Sequence, residues 1–328
     1  MNTRQFGNTG EQVSEVGLGC WQIGGGDWGA VSEQDALATM NAAVGSGVTF
    51  FDTADVYGLG RSETLIGRFL KQTTERVFVA TKLGRFPEPG WPLNFEPQAI
   101  RAHTEASLKR LNVEALDLTQ LHCIPTEVLL AGDVFETLRE LKSEGKIRNF
   151  GVSVETMEEA VHCVRQSGVS SLQIIFNIFR QKPIETLFDL AIKNNVAIIV
   201  RLPLASGLLT GKFSRNTQFA ASDHRNYNRN GQAFNVGETF AGLPFEKGVE
   251  LAGKVDPLVP DGMSMTEMAL RWCLDFEAVS VIIPGAKNPE QAGANSRPSA
   301  LSPLPPELHE QLRKLYSQEV AVHIRGPY

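Results

Sequence analysis

Short runs rich in Val, Ile, Leu, Phe and Thr recur along the chain, separated by longer amphipathic stretches. The runs at 16–18, 49–51, 77–81, 116–121, 148–152, 172–176, 196–200 and 279–283 read as buried strands. The stretches at 33–44, 62–70, 97–110, 128–142, 157–165, 183–193 and 266–274 predict helices. Pro97 and Pro183 suit first helical turns, where a missing N–H costs nothing. Strand starts fall roughly 25–40 residues apart until the last, the length of one βα unit. Strands alternating with helices imply a parallel sheet covered by helices, and eight such units close into a (β/α)₈ TIM barrel.

Three pieces fall outside the eight units. Residues 3–14 contain Gly7-Asn8-Thr9-Gly10, a turn signal that predicts an N-terminal β-hairpin plugging the barrel floor. Residues 202–238 are polar and rich in Asn, Arg and Gly, which predicts a long loop after strand seven of the barrel. Residues 296–328 hold a Pro-rich turn and one helix near 307–317. No stretch has linker composition, so residues 1–328 are expected to form a single barrel domain.

Composition narrows the function. Hydrophobic residues make up 42% of the chain and charged residues 21%, which excludes disordered, collagen-like and coiled-coil chains. The net charge of −6 offers no global attraction to nucleic acid or anionic lipid. The apolar runs are too short to span a membrane, and the N-terminus lacks the basic and apolar regions of a secretory signal. Cys20, Cys123, Cys163 and Cys273 stand far apart without metal-type spacing. Reduced thiols in a cytoplasmic protein, with no metal, are the expectation.

Gly24-Gly25-Gly26-Asp27-Trp28-Gly29 fits GxGxxG, but the flanking strand and helix that a dinucleotide fingerprint needs are missing, so it reads as a loop at the barrel top. The C-terminal strand ends carry the chemistry. Strand two ends in Asp52, followed by Tyr57; strand three ends in Lys82 and strand four in His122. Strand five ends in Gly151-Val152-Ser153, strand six carries Gln173 and Asn177, and strand seven ends in Arg201. Each alone is an ordinary cap, ion-pair partner or structural histidine. Together they bring carboxylate, phenol, ammonium and imidazole to one mouth. An ammonium beside a phenol lowers a pKa of about 10 until desolvation opposes it, which makes a proton donor for an oxygen. Asp52 would hold Lys82, and His122 would donate to a carbonyl. With no metal cluster, the hydride is expected from an organic cofactor.

Taken together, these pieces resemble the aldo-keto reductase family. The resemblance rests on Val16-Gly17-Leu18-Gly19, Phe51-Asp52-Thr53-Ala54-Asp55-Val56-Tyr57-Gly58, Ala80-Thr81-Lys82, Leu121-His122, Gly151-Val152-Ser153, residues 203–212 (PLASGLLTGK) and Ile283-Pro284-Gly285-Ala286. The last two forms are similar to the bacterial general-oxidoreductase and channel β-subunit-like branches. The resemblance implies NADPH-dependent reduction of an aldehyde or ketone, with the reverse oxidation possible and NAD as the alternative cofactor. Its tetrad falls on Asp52, Tyr57, Lys82 and His122, with Tyr57 as the acid. Ser153 and Gln173 would hold the nicotinamide amide. Arg201, Leu202, Pro203, Leu204, Ser206 and Lys212 would follow its ring and pyrophosphate. Gly285, Lys287, Gln291 and Asn295 would surround the adenosine end. Trp21 would line the junction of cofactor and substrate, and Val56, Phe86, Trp91 and Ile124 would join it in contacting substrate.

Three positions depart from the family pattern. Val154 follows Ser153 where Asn is common, Arg201 stands where an aromatic ring commonly stacks on nicotinamide, and Gln291 replaces a common 2′-phosphate arginine. Lys287 is left to supply that charge, and the loop cations Lys212, Arg215, Arg225 and Arg229 are expected to meet phosphate. Two rival classes are a cofactor-binding regulatory module, like the channel β-subunits, and a lyase or aldolase using Lys82 as a Schiff-base nucleophile.

Overall fold

A computed structural model describes residues 1–328. Strands β1 (Thr3–Gln5) and β2 (Gln12–Ser14) pair antiparallel as the expected hairpin. Eight further strands follow: β3 (Leu18–Gly19), β4 (Phe50–Asp52), β5 (Phe78–Leu83), β6 (Leu116–His122), β7 (Ile147–Ser153), β8 (Val169–Ile175), β9 (Ala197–Arg201) and β10 (Val279–Ile282). They pair parallel in chain order. Parallel bridges Val16–Ile282 and Gly19–Gly285 join the first strand to the last and close the (β/α)₈ barrel.

The two-residue period of a strand decides what lies inside. Phe50, Phe78, Ala80, Leu118, Ala197, Ile199, Val281 and Ile283 fill the barrel interior together with Phe6 and Val13 of the hairpin segment. Phe6 packs its ring 5.3 Å from Phe50 and 5.1 Å from Phe78, so the hairpin does close the floor. Their neighbours Phe51, Val79, Leu121, Val152, Ile198, Val200 and Ile282 face the helices in the larger core. Two residues beyond the inner apolar layer, on the same face, stand Asp52, Lys82, Gln120 and Arg201. The register Lys82–Gln120, His122–Ser153 and Ser153–Gln173 sets the inward polar residues side by side.

Two expected helices are broken. The 128–142 stretch is Thr126–Ala131 and Asp133–Ser143, parted by Gly132 at φ 87°. The 183–193 stretch breaks at Leu187, between Pro183–Thr186 and Phe188–Lys193. The segment after β9 is not featureless: short helical turns lie at Ala205–Thr210 and His224–Tyr227, and a helix runs over Phe245–Val255. A further helix, Pro289–Ser296, precedes the tail. All four cysteines are free and buried. No helix is long and apolar enough to cross a membrane.

Candidate functional site

Lys82 lies at the centre of the mouth. Its Nζ donates to Asp52 Oδ1 (2.6 Å), the Thr53 carbonyl (2.8 Å) and the Tyr57 hydroxyl (3.2 Å). Three acceptors saturate an ammonium, so the group is fixed rather than swinging. Burial works against its charge, but Asp52 and Tyr57 outweigh that and hold its pKa above the usual lysine value. Gln173 Nε2 donates to Asp52 Oδ2 at 2.7 Å, so the carboxylate is held on both oxygens.

Tyr57 is positioned by backbone contact. The chain passes Gly24 against Gly58: a Cβ at Gly58, which has φ +61°, would lie 2.3 Å from the Gly24 carbonyl oxygen. The first glycine of the GxGxxG-like segment therefore seats the tyrosine loop. Trp21 stacks on the Tyr57 ring at 5.8 Å and 18°. Burial pushes the phenol up to about 12, more than Lys82 draws it down, so the hydroxyl is fully protonated at neutral pH. The expected lowering of this pKa by Lys82 is present as a force but loses to desolvation.

His122 sets its ring 6.0 Å from that of Tyr57, edge to face. Burial, then Lys82, Arg85 and Arg201, hold its pKa well below the usual histidine range, so it is a neutral imidazole. Its Nδ1 is buried without a partner.

Other expected residues are less free. Arg201 gives Nε and NH2 to Glu238 Oε1 (3.0 and 2.7 Å), and NH1 and NH2 to the carbonyls of Gln173 and Val154 (both 2.9 Å). Its guanidinium is a strut between β8, β7 and the loop after β9. The Ser206 hydroxyl donates to the Glu238 carbonyl and accepts from Phe240 N. Leu202 and Ser206 take left-handed backbone at φ 54° and 55°, turning the chain through Pro203 and Leu204 across the mouth. Arg225 is bidentate on Asp223 (2.9 and 2.6 Å) and lies 4.8 Å over the Trp28 ring, which removes it from the phosphate set. Gln291 turns its Oε1 to Lys287 N (2.9 Å), and Asn295 donates to the Gly285 carbonyl (3.1 Å). Asp27 ties the two mouth loops together, accepting from Trp21 Nε1 (3.0 Å) and the Tyr227 hydroxyl (2.6 Å).

The donor set fits a nicotinamide dinucleotide. Gln173 keeps its Oε1 clear of Asp52, and the Ser153 hydroxyl has only the Cys123 thiol nearby, at 3.7 Å. Lys212, Arg215 and Lys287 have no ion-pair partner on the protein, as sites for phosphate require. Among the expected substrate contacts, Trp21 and Trp91 reach the mouth. Val56 is half-buried just before Tyr57. Phe86 packs on His103 and Arg110, and Ile124 is buried in the helix-side core. The sequence reading omitted Arg85, Glu155, Asn230, Asn235 and Glu238. Arg85 and Glu155 lie just past the strand-end residues Lys82 and Ser153, and that position was the available signal; Glu238, far along a loop, gave none.

Behind Tyr57, Asp55 is wholly buried, with Glu63 beside it and His103 Nδ1 3.5 Å away. Burial and Glu63 raise its pKa to about 7. The folded state thus keeps a proton that the unfolded chain releases near its ordinary value of about 3.9, so this contribution is full below pH 4 and is lost as pH rises through 7. Urea unfolding at pH 5 and pH 8 should show lower stability at pH 8, and Asp55→Asn should flatten the difference.

Residues 15–317 match the Aldo/keto reductase family. The chain belongs to that family. This oxidoreductase is 31% identical over 301 residues to aldo-keto reductase YhdN of Bacillus subtilis, covering 90% of this chain and 88% of that one. It is 30% identical to the aldo-keto reductase yakc [NADP(+)] of Schizosaccharomyces pombe, covering 87% and 83%. The structure is similar to the glycerol dehydrogenase AKR11B4 from Gluconobacter oxydans, with TM-score 0.79, 29% identity and coverage of 99% and 97%.

Proposed function

We propose that the protein reduces an aldehyde or ketone to an alcohol with NADPH, using Tyr57 as the proton donor. The observation that carries this is the Lys82 ammonium held between Asp52 and the Tyr57 hydroxyl, at 2.6 and 3.2 Å. The bound cofactor would supply a hydride to the carbonyl carbon. Tyr57, protonated at neutral pH, gives its proton to the carbonyl oxygen as negative charge develops there. Lys82 stabilises the phenolate left behind, and Asp52 keeps Lys82 charged and in line. His122, as neutral imidazole, donates a hydrogen bond to the same oxygen. Ser153 and Gln173 would hold the carboxamide, and Lys212 and Lys287 the phosphates. Arg201, committed to Glu238, acts as a wall of the nicotinamide site rather than as a stacking ring.

NADP is preferred over NAD because Lys287 lies half-buried with no carboxylate paired to it, and its own pKa is lowered by burial and by Arg225. An added phosphate dianion relieves that strain; a ribose hydroxyl does so far less. The name of the yeast relative, which carries NADP(+), supports the same choice.

A spectrophotometric screen of NADPH and NADH oxidation across aliphatic, aromatic and hydroxylated aldehydes tests the proposal. Turnover with at least one carbonyl, faster with NADPH, is expected. Cofactor binding without oxidation anywhere in the panel would favour a regulatory module instead, and borohydride trapping of substrate on Lys82 would favour a Schiff-base enzyme.

A further inference from the structure

Beside the tetrad the mouth opens into a cavity of about 380 Å³, lined by Arg85, Trp91, Glu155, Asn230, Phe234 and Asn235 among others. Its inner wall begins one residue from the catalytic imidazole: Arg85 gives Nε to the His122 carbonyl (3.1 Å) and NH2 to the Cys123 carbonyl (3.0 Å). There a carboxylate oxygen of Glu155, one of Glu238 and the Cys123 thiol all lie within 4.8 Å of one another.

Two carboxylates this close repel each other, and burial and Glu238 together push the Glu155 pKa up. Each nevertheless has its own guanidinium, with Arg85 3.6 Å from Glu155 and Arg201 2.7 Å from Glu238. The four charges sum to zero, and the flanking guanidiniums would repel a metal ion or an ammonium. Acceptor capacity is left over all the same. The Arg85 contact is longer than a hydrogen bond, and Oε2 of Glu238 has no hydrogen-bond partner. A carboxylate is an acceptor only, so what completes the pair is O–H donors on an uncharged molecule. At the rim Trp91 is 52% exposed, its ring 5.6 Å from the Arg85 guanidinium, and offers an apolar face to a carbon chain.

We propose that Glu155 and Glu238 form a paired acceptor for adjacent hydroxyl groups of an uncharged, polyhydroxylated carbonyl substrate, with Trp91 covering its carbon chain. The proposal rests on the carbonyl-reductase reading above and deepens it to a substrate class.

Its test is kcat/KM with NADPH for glyceraldehyde, propanal and succinic semialdehyde. Glyceraldehyde should exceed propanal by about tenfold or more, since a site built for hydroxyl groups leaves its acceptors unpaired with the bare chain. Glu155→Ala should shrink that ratio about fivefold or more, and Glu155→Gln, which keeps one acceptor oxygen, should shrink it less. Trp91→Ala, a change at an exposed residue that does not endanger folding, should also shrink it. Equal efficiency with glyceraldehyde and propanal, preference for the anionic semialdehyde, or a ratio untouched in both alanine variants would overturn the proposal. No NADPH oxidation with any of the three would overturn the reductase reading itself, and this proposal with it.

Discussion

Tyr57→Phe should lower kcat for carbonyl reduction by about two to four orders of magnitude while leaving NADPH affinity within a few-fold of wild type. The change removes one oxygen. The ring keeps its 5.8 Å stack on Trp21, and Lys82 keeps Asp52 and the Thr53 carbonyl. What is lost is the proton delivered to the substrate oxygen. Because the phenol titrates only at about 12 and His122 stays neutral, wild-type reduction should be flat with pH from 6 to 9. The reverse oxidation needs the phenolate and should accelerate as pH rises across the same range. Stopped-flow and steady-state rates of the two proteins check both statements, and near wild-type kcat in the variant would remove Tyr57 from the role.

Lys82→Met should abolish turnover and also destabilise the fold. The ammonium is fully buried, and deleting it strands the Asp52 carboxylate with only Gln173 (2.7 Å) and Gln120 (3.4 Å) as donors. Breaking a buried ion pair on one side costs about 3–5 kcal/mol. Adding Asp52→Asn to Lys82→Met removes the stranded charge, so the double variant should recover much of the stability and none of the activity. Urea titrations of the three proteins alongside kcat measurements separate the two effects. Recovery of activity in the double variant would show that the pair serves the fold alone.

The barrel was legible because its signals are periodic. Alternation puts Phe50 inside and Phe51 outside, and the same period carries Asp52 and Lys82 onto the inner face above the apolar layer. The tetrad was therefore readable from strand ends. Helix breaks were not, since Gly132 and Leu187 interrupt stretches whose apolar pattern runs on. The helix Phe245–Val255 was hidden by its glycines; Gly248 gives no helical signal, yet a Cβ there would meet Leu208 at 2.5 Å. Charge partners were the least legible of all. Nothing in the local sequence of Arg201 announces Glu238, 37 residues on, and the Arg225–Asp223 pair competes with a phosphate that the composition alone would have assigned to it.

The central claim is a hydride from NADPH to carbon with a proton from Tyr57 to oxygen. Mass spectrometry of the alcohol formed with NADPH deuterated at the nicotinamide C4 tests it most directly. One deuterium on the former carbonyl carbon, formed at the rate of NADPH oxidation, is the predicted result. An alcohol without cofactor-derived deuterium, or no alcohol at all, would contradict it.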